Sequence, residues 1–135
     1  MRSLICIACF ISSLLYGQNV APIITSTAPT TATEDVQYSY TIQVTDSDDA
    51  NNGTDLTFSL TGAPTGMTVS NVGVINWTPL EDILTSGAVT LTVADGGEDG
   101  AVPPTEVFTI TVTPVNDAPI ITSTAPTTAT EDVQY

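Results

Sequence analysis

Apolar and polar residues alternate along most of this chain with a period of two. Val36, Tyr38, Tyr40, Ile42 and Val44 are separated by Gln37, Ser39, Thr41 and Gln43. Leu56, Phe58 and Leu60 alternate with Thr57 and Ser59, Val89, Leu91 and Val93 with Thr90 and Thr92, and Phe108, Ile110 and Val112 with Thr109 and Thr111. Such a period sends successive side chains to opposite faces. Each run therefore predicts a strand with one buried and one wetted face, as in an antiparallel sandwich. The many threonines and valines suit strands and argue against helices. Turn signals separate the runs: Asn52-Gly53, Ala63-Pro64, Asn71, Gly96-Gly97 and Pro103-Pro104. Ile23-Ile24-Thr25, Met67-Thr68-Val69 and Val74-Ile75-Asn76-Trp77 bring the expected strands to seven. In the last of these, Ile75 and Trp77 are expected to face inward in preference to Val74. A single Trp in a small β-domain is most simply a core anchor; a ligand-stacking role is the competing reading.

Ala21 to Tyr38 reads APIITSTAPTTATEDVQY, and Ala118 to Tyr135 repeats it residue for residue at an offset of 97. Eighteen consecutive identities at one offset mark a tandem repeat. The period exceeds that of a solenoid unit and matches one sandwich domain of about 100 residues. One full unit is expected at 21–117, after a short linker at 18–20. Residues 118–135 are expected to be the truncated start of a second unit of the same type. The chain thus reads as a fragment of a longer array.

Residues 1–17 have a different character. Met1-Arg2 is a short basic start, and Leu4 to Tyr16 is apolar apart from Ser12 and Ser13. That pattern reads as a secretory signal peptide, and the run is too short to cross a bilayer as a helix. Gly17 is an acceptable residue before a cleavage point, whereas Leu15 suits its position poorly, and Cys9 resembles a lipoprotein cysteine only faintly.

Export changes the charge picture. The chain has fifteen Asp and Glu against one basic residue, no His, and a net charge of −14. The basic residue is Arg2, and both cysteines, Cys6 and Cys9, lie in the leader. From Gln18 onward no disulfide and no Cys/His metal site can form. Nucleic acid and anionic membrane surfaces are excluded as partners, because both require a basic face. Divalent cations are the natural counterpart of such a surface, since they relieve its self-repulsion. Acidity that serves only solubility is the plainer alternative.

Certain motifs carry a family likeness. Leu56 to Val69 (LTFSLTGAPTGMTV), Gly73 to Pro79 (GVINWTP), Val93-Ala-Asp-Gly-Gly97 and Val115-Asn-Asp-Ala-Pro119 together resemble the bacterial immunoglobulin-like and dystroglycan-type cadherin-like repeats. The resemblance covers 21–117. It implies a seven-stranded sandwich strung end to end in adhesins, surface proteins and large secreted enzymes, with Ca2+ at the junctions of some members.

In such a sandwich the second and sixth strands end at the pole where the first begins. Asp46, Asp48 and Asp49, with Asp95, Glu98 and Asp99, are then expected near Asn19 to Pro22 at the N-terminal pole. Glu34, Asp35, Glu81, Asp82, Asn116 and Asp117 gather at the opposite pole. Ca2+ takes about six to eight oxygens, so the resemblance nominates ligands at both ends. Asp46, Asp48 and Asp95 match those donated to a preceding repeat. Glu34, Glu81, Asn116 and Asp117 match a half-site facing the following one. Ile83, Pro114 and Ala118 stand where the family has further ligands, and Val20 stands where it has a junction Asp. No complete inter-repeat site is therefore expected within this chain, only weak binding at the N-terminal pole. A solvated acidic turn is the competing reading, because Asp and Asn also bond their own backbone. Asn52-Gly53-Thr54 and Asn76-Trp77-Thr78 are glycosylation sequons, which arise readily in a Thr-rich chain.

The functional expectation is an extracellular structural or adhesive module, at the cell surface or secreted. Its expected partners are neighbouring repeats, other surface proteins or glycans. A carbohydrate-binding or spacer module of a secreted enzyme is the alternative, but it would need an exposed aromatic platform. Tyr38, Tyr40, Phe58, Trp77 and Phe108 are all claimed by the core pattern. Catalysis is not expected: paired carboxylates could serve a glycosidase, yet there is no cleft-forming insertion, no nucleophile–base pair, and no Lys or Arg to steady a developing anion.

Overall fold

The computed structural model describes residues 20–96 and 101–134, so the expected leader lies outside the described residues. The elements are β1 (Ile23–Ile24), β2 (Thr31–Thr33), β3 (Tyr38–Thr41), β4 (Val44–Thr45), β5 (Thr57–Thr61), β6 (Thr68–Val69), β7 (Val74–Trp77), β8 (Thr85–Ala94) and β9 (Thr105–Thr113). One sheet has the order β2-β9-β8-β5 and another β3-β7-β6, while β1 pairs with β4. Since β4 continues the chain of β3, the β1–β4 pair extends the second layer. The fold is an all-β sandwich, antiparallel except where β2 runs parallel to β9.

The alternating positions meet between the layers. Tyr38, Tyr40 and Ile42 are buried with Ile75 and Trp77 from one sheet, and Val89, Leu91, Val93, Phe108, Ile110 and Val112 from the other. Tyr38 pairs across the ladder with Trp77, and Tyr40 with Ile75, so two aromatic–apolar pairs share the inward face. Val36 departs from the pattern and is exposed. It closes a turn in which its N–H donates to the Thr33 carbonyl and Asp35 takes a φ of 59°, so the strand begins only at Tyr38.

Among the described residues nine segments appear where the alternation predicts seven strands, because two strands change partners. The second pairs with β7 as far as Thr41, then with β1 from Val44. The first crosses between layers: Ile23–Ile24 lie beside β4, and Thr31–Thr33 beside β9. Glu106 holds the crossing, accepting the Ala28 N–H at 2.8 Å and the Tyr40 hydroxyl at 3.1 Å. The Tyr40 hydroxyl also meets Ser26 Oγ at 2.7 Å. The sixth strand starts earlier than its alternation suggests. A register shift lies between Thr85 and Ala88, and the buried Ser86 hydroxyl there accepts the Ile110 N–H at 2.8 Å.

Gly73 is a turn position where a side chain has no room, as is Gly62, where a Cβ would sit 2.5 Å from the Ala88 carbonyl oxygen. Gly73 takes a φ of 78° in the β6–β7 hairpin, and a Cβ there would sit 2.8 Å from the Phe58 ring.

Residues 118–134 form no strand, although their sequence matches 21–37. Ile120 and Ile121 are 84% and 87% exposed.

Candidate functional site

At the N-terminal pole the acidic loop that follows β4 folds on its own side chains. Asp46 Oδ1 accepts the N–H groups of Asp48 at 3.1 Å and Asp49 at 3.3 Å, an Asx turn built from a single carboxylate oxygen. Asn52 repeats the device, its Oδ1 accepting Thr54 N–H at 2.9 Å and Asp55 N–H at 3.2 Å. The Asn52 amide nitrogen, which a sequon would offer to a glycan, donates to Asp55 Oδ2 at 2.7 Å.

The first of these turns decides which carboxylates converge. Asp46, Asp49 and Asp95 each bring an oxygen within 4.8 Å of the others. Asp48 faces outward instead, accepting the Val20 N–H at 3.3 Å. Thus two of the three N-terminal candidates, Asp46 and Asp95, come together, and Asp49 joins them where the family pattern nominated Asp48. The turn at Asp46 swings neighbouring side chains apart, which the spacing of the motif does not reveal. Glu98 and Asp99 lie outside the described residues.

The electrostatics of this trio suit a cation. Asp49 is raised above its ordinary value, first by burial and then by the charges of Asp46, Asp48, Asp55 and Asp95. Burial also works to raise Asp46, but hydrogen bonds from Asp48, Asp49 and Ser47 outweigh it and hold that carboxyl below its ordinary range. Asp46 therefore stays ionised, with Oδ1 engaged by amides. Its Oδ2 is buried and accepts no hydrogen bond among the described residues. Three carboxylates on two loops supply about half of a calcium shell, the rest falling to water or a neighbour. An open recess of about 240 Å³, lined by Val20, Ala21, Ile23, Thr45, Asp46 and Ser47, adjoins the trio.

The opposite pole is organised differently. Glu34 is 1% exposed. Its Oε1 accepts the Asp82 N–H at 3.1 Å and its Oε2 the Val115 N–H at 2.7 Å. Both oxygens of this nominated ligand are thus engaged in holding the turn after β7 and the chain leaving β9. Asp82 takes a φ of 66° in that turn, a conformation Asp tolerates better than most residues. Glu81 and Asp117 meet beside Glu34 on the exposed rim, and Asn116 is exposed next to them.

The Glu81 carboxyl is raised from 4.5 to about 7. Its hydrogen bond with Asp117 is the largest cause, followed by repulsion from Glu34, burial, and the charges of Asp117 and Asp82. A carboxyl that holds its proton more tightly in the folded chain adds stability below pH 4.5, and that contribution is lost as pH rises through about 7. In metal-free buffer the melting temperature is therefore expected to decline across this window on account of Glu81. Glu81→Gln, which cannot ionise, should flatten the decline; a slope identical to that of the parent would contradict the pairing.

A family model described as "Putative Ig domain" matches residues 21–113. No curated protein matches the sequence. Among solved structures, one described as a putative alpha-galactosidase from Bacteroides fragilis aligns with a TM-score of 0.53 and 14% identity, over 70% of this chain and 18% of that one. An endo-fucoidan hydrolase of glycoside hydrolase family 107 aligns with a TM-score of 0.49 and 21% identity, over 75% of this chain and 14% of that one. This chain therefore spans less than a fifth of the length of either.

Proposed function

The chain belongs to the Putative Ig domain family, and from that premise we propose that it is an exported structural and adhesive repeat module of a larger surface or secreted protein, with Ca2+ bound at its N-terminal pole. The convergence of Asp46, Asp49 and Asp95 within 4.8 Å carries the calcium part of this reading. A calcium ion there would tie the loop after β4 to the loop after β8 and stiffen the end where a preceding module would abut. Neighbouring repeats are the first partners, and other surface proteins or glycans the outward ones.

A spacer or carbohydrate-binding module of a secreted multidomain enzyme is the alternative. Its sugar-binding form needs an exposed aromatic face, and Tyr38, Tyr40, Trp77 and Phe108 are buried. The adhesive reading is preferred on that ground.

Melting the protein in calcium and in chelator tests the metal. A site of extracellular type, with a Kd of about 1 mM, should add about 1.4 kcal/mol in 10 mM calcium, a rise of about 5–10 °C for a domain of this size. Asp46→Asn should remove most of that rise, and Asp48→Asn should leave it nearly intact. Equal melting temperatures in calcium and chelator would end the calcium half of the proposal.

A further inference from the structure

We propose that the outer edge of β5 is a self-pairing surface, on which a second copy of this chain adds its own β5, antiparallel, across a two-fold axis through Ser59. The inference is independent of the calcium site.

Strand β5 ends the four-stranded sheet, so one of its sides has no neighbouring strand among the described residues. The ladder fixes which groups face that side. Val93 N–H donates to the Pro104 carbonyl, so Val93 turns its backbone toward β9. Its partner across the β5–β8 ladder is Phe58. Backbone groups alternate in direction along an antiparallel strand. Thr57, Ser59 and Thr61 therefore face β8 with their backbone groups, and Phe58 and Leu60 direct their N–H and C=O groups away from it. Among the described residues, no backbone bond made outside the strand ladders reaches Phe58 or Leu60.

Burial agrees with an open flank. Phe58 and Leu60 pack against the core yet are only half-buried. Val89, Leu91 and Val93, beside them on β8, are fully buried. A strand added to β5 would bring its own apolar side chains over this flank.

The edge also lacks the devices that usually guard one, such as a charge, a proline or a bulge. Thr57–Thr61 has no charged residue and no Pro, and its register with β8 is unbroken. The other terminal strands are shorter: β1, β4 and β6 have two residues each, and β2 has three. Strand β3 has four, and the crossing segment flanks it, with Ser26 bonded to Gln43 and Pro29 to Tyr38.

The sequence of β5 selects the occupant. Thr57-Phe58-Ser59-Leu60-Thr61 is symmetric in character about Ser59. Two-fold pairing sets Phe58 opposite the partner's Leu60, and Leu60 opposite the partner's Phe58. These are the residues with outward backbone groups, and each such pair exchanges two hydrogen bonds. An aromatic then meets an aliphatic residue on the inward face, and Thr57 meets the partner's Thr61 on the wet face, both favourable cross-strand pairs. The register also suits a chain of net charge −14, because Asp55 falls opposite the partner's Ala63 and not opposite an acid. So short a contact makes a weak interface, and it closes at two members because both copies offer the same patch.

The test uses the chain from Gln18, which has no cysteine, in chelator. Ser59 meets its own copy at a non-hydrogen-bonded position, where the Cα atoms lie about 4.5 Å apart, within reach of a disulfide. At about 1 mM protein, Ser59→Cys should oxidise to a covalent dimer about tenfold faster than Thr109→Cys, whose thiols would meet only by collision. Thr109 is likewise exposed, on β9 of the same sheet. Thr57→Lys with Thr61→Lys changes only exposed residues and sets Lys against Lys in the pair. It should bring the Ser59→Cys rate down to that of Thr109→Cys. In the cysteine-free chain the amide resonances of Phe58 and Leu60 should shift as concentration rises. Equal rates for the two cysteines, or a Ser59→Cys rate indifferent to the paired lysines, would overturn the inference. So would multiples beyond the dimer in light scattering of the cysteine-free chain, which pairing of β5 with a different edge would build.

Discussion

Replacing Trp77 with alanine is expected to cost about 3–5 kcal/mol of stability, the usual loss for a large buried aromatic. Trp77 is 2% exposed and lies between its ladder partner Tyr38 and the inward residues of the facing sheet. A recess of about 110 Å³ lined by Pro64, Thr65, Leu80 and Ile83 already adjoins the indole. Deleting the ring would merge that recess with the core, so collapse around the gap cannot recover much of the lost packing. A domain of this size has about 5–15 kcal/mol in all, so the variant should sit near the edge of folding. Urea unfolding followed by far-ultraviolet circular dichroism is the suitable measurement, because the chain has no other Trp to report by fluorescence. A midpoint equal to the parent's would return Trp77 to the ligand-stacking reading. In the unmodified protein, the buried indole should show blue-shifted emission that oligosaccharides do not alter.

The strands with apolar residues at strict alternate positions were legible because each carries its own burial code. Tyr38 to Val44, Val89 to Val93 and Phe108 to Val112 could hardly be placed otherwise. The crossing of the first strand was not legible. Thr31-Ala32-Thr33 has one small apolar residue, and its place depends on β9 and on Glu106, which lies 78 residues beyond its bonding partner Ala28. The duplicated segment separates the two kinds of information. Thr33 to Val36 and Thr130 to Val133 make the same turn, so that turn is encoded locally. Among the described residues only the copy paired with β4 and β9 is in strands, so strand identity there resides in the partner. The candidate ligands divide in the same way. Asp46 and Asp95 follow the strands that deliver them. The exchange of Asp48 for Asp49 depends on which amides Asp46 Oδ1 captures, and the burial of Glu34 depends on chain that arrives much later in the sequence.

Glu34 yields the second large expected effect, and it separates a ligand from a structural carboxylate. Glu34→Ala leaves the N–H groups of Asp82 and Val115 without the acceptor they share. An unmade bond at a fully buried site costs about 1–3 kcal/mol; these two are part-buried and their donors lie on exposed residues, so a combined loss of about 1–3 kcal/mol is expected in chelator, where no metal contributes. Glu34→Gln should lose less, because its amide oxygen can still serve one of the two donors. It should also lower the Glu81 carboxyl from about 7 toward its ordinary range, since repulsion from Glu34 is the second cause of that shift. Amide hydrogen exchange should accelerate at Asp82 and Val115 in Glu34→Ala before it does so in β8 or β9, because the clasp and not the core has been opened. A carboxylate needed only for a cation would behave otherwise: Glu34→Ala would then melt with the parent in chelator and fall behind it only when calcium is added.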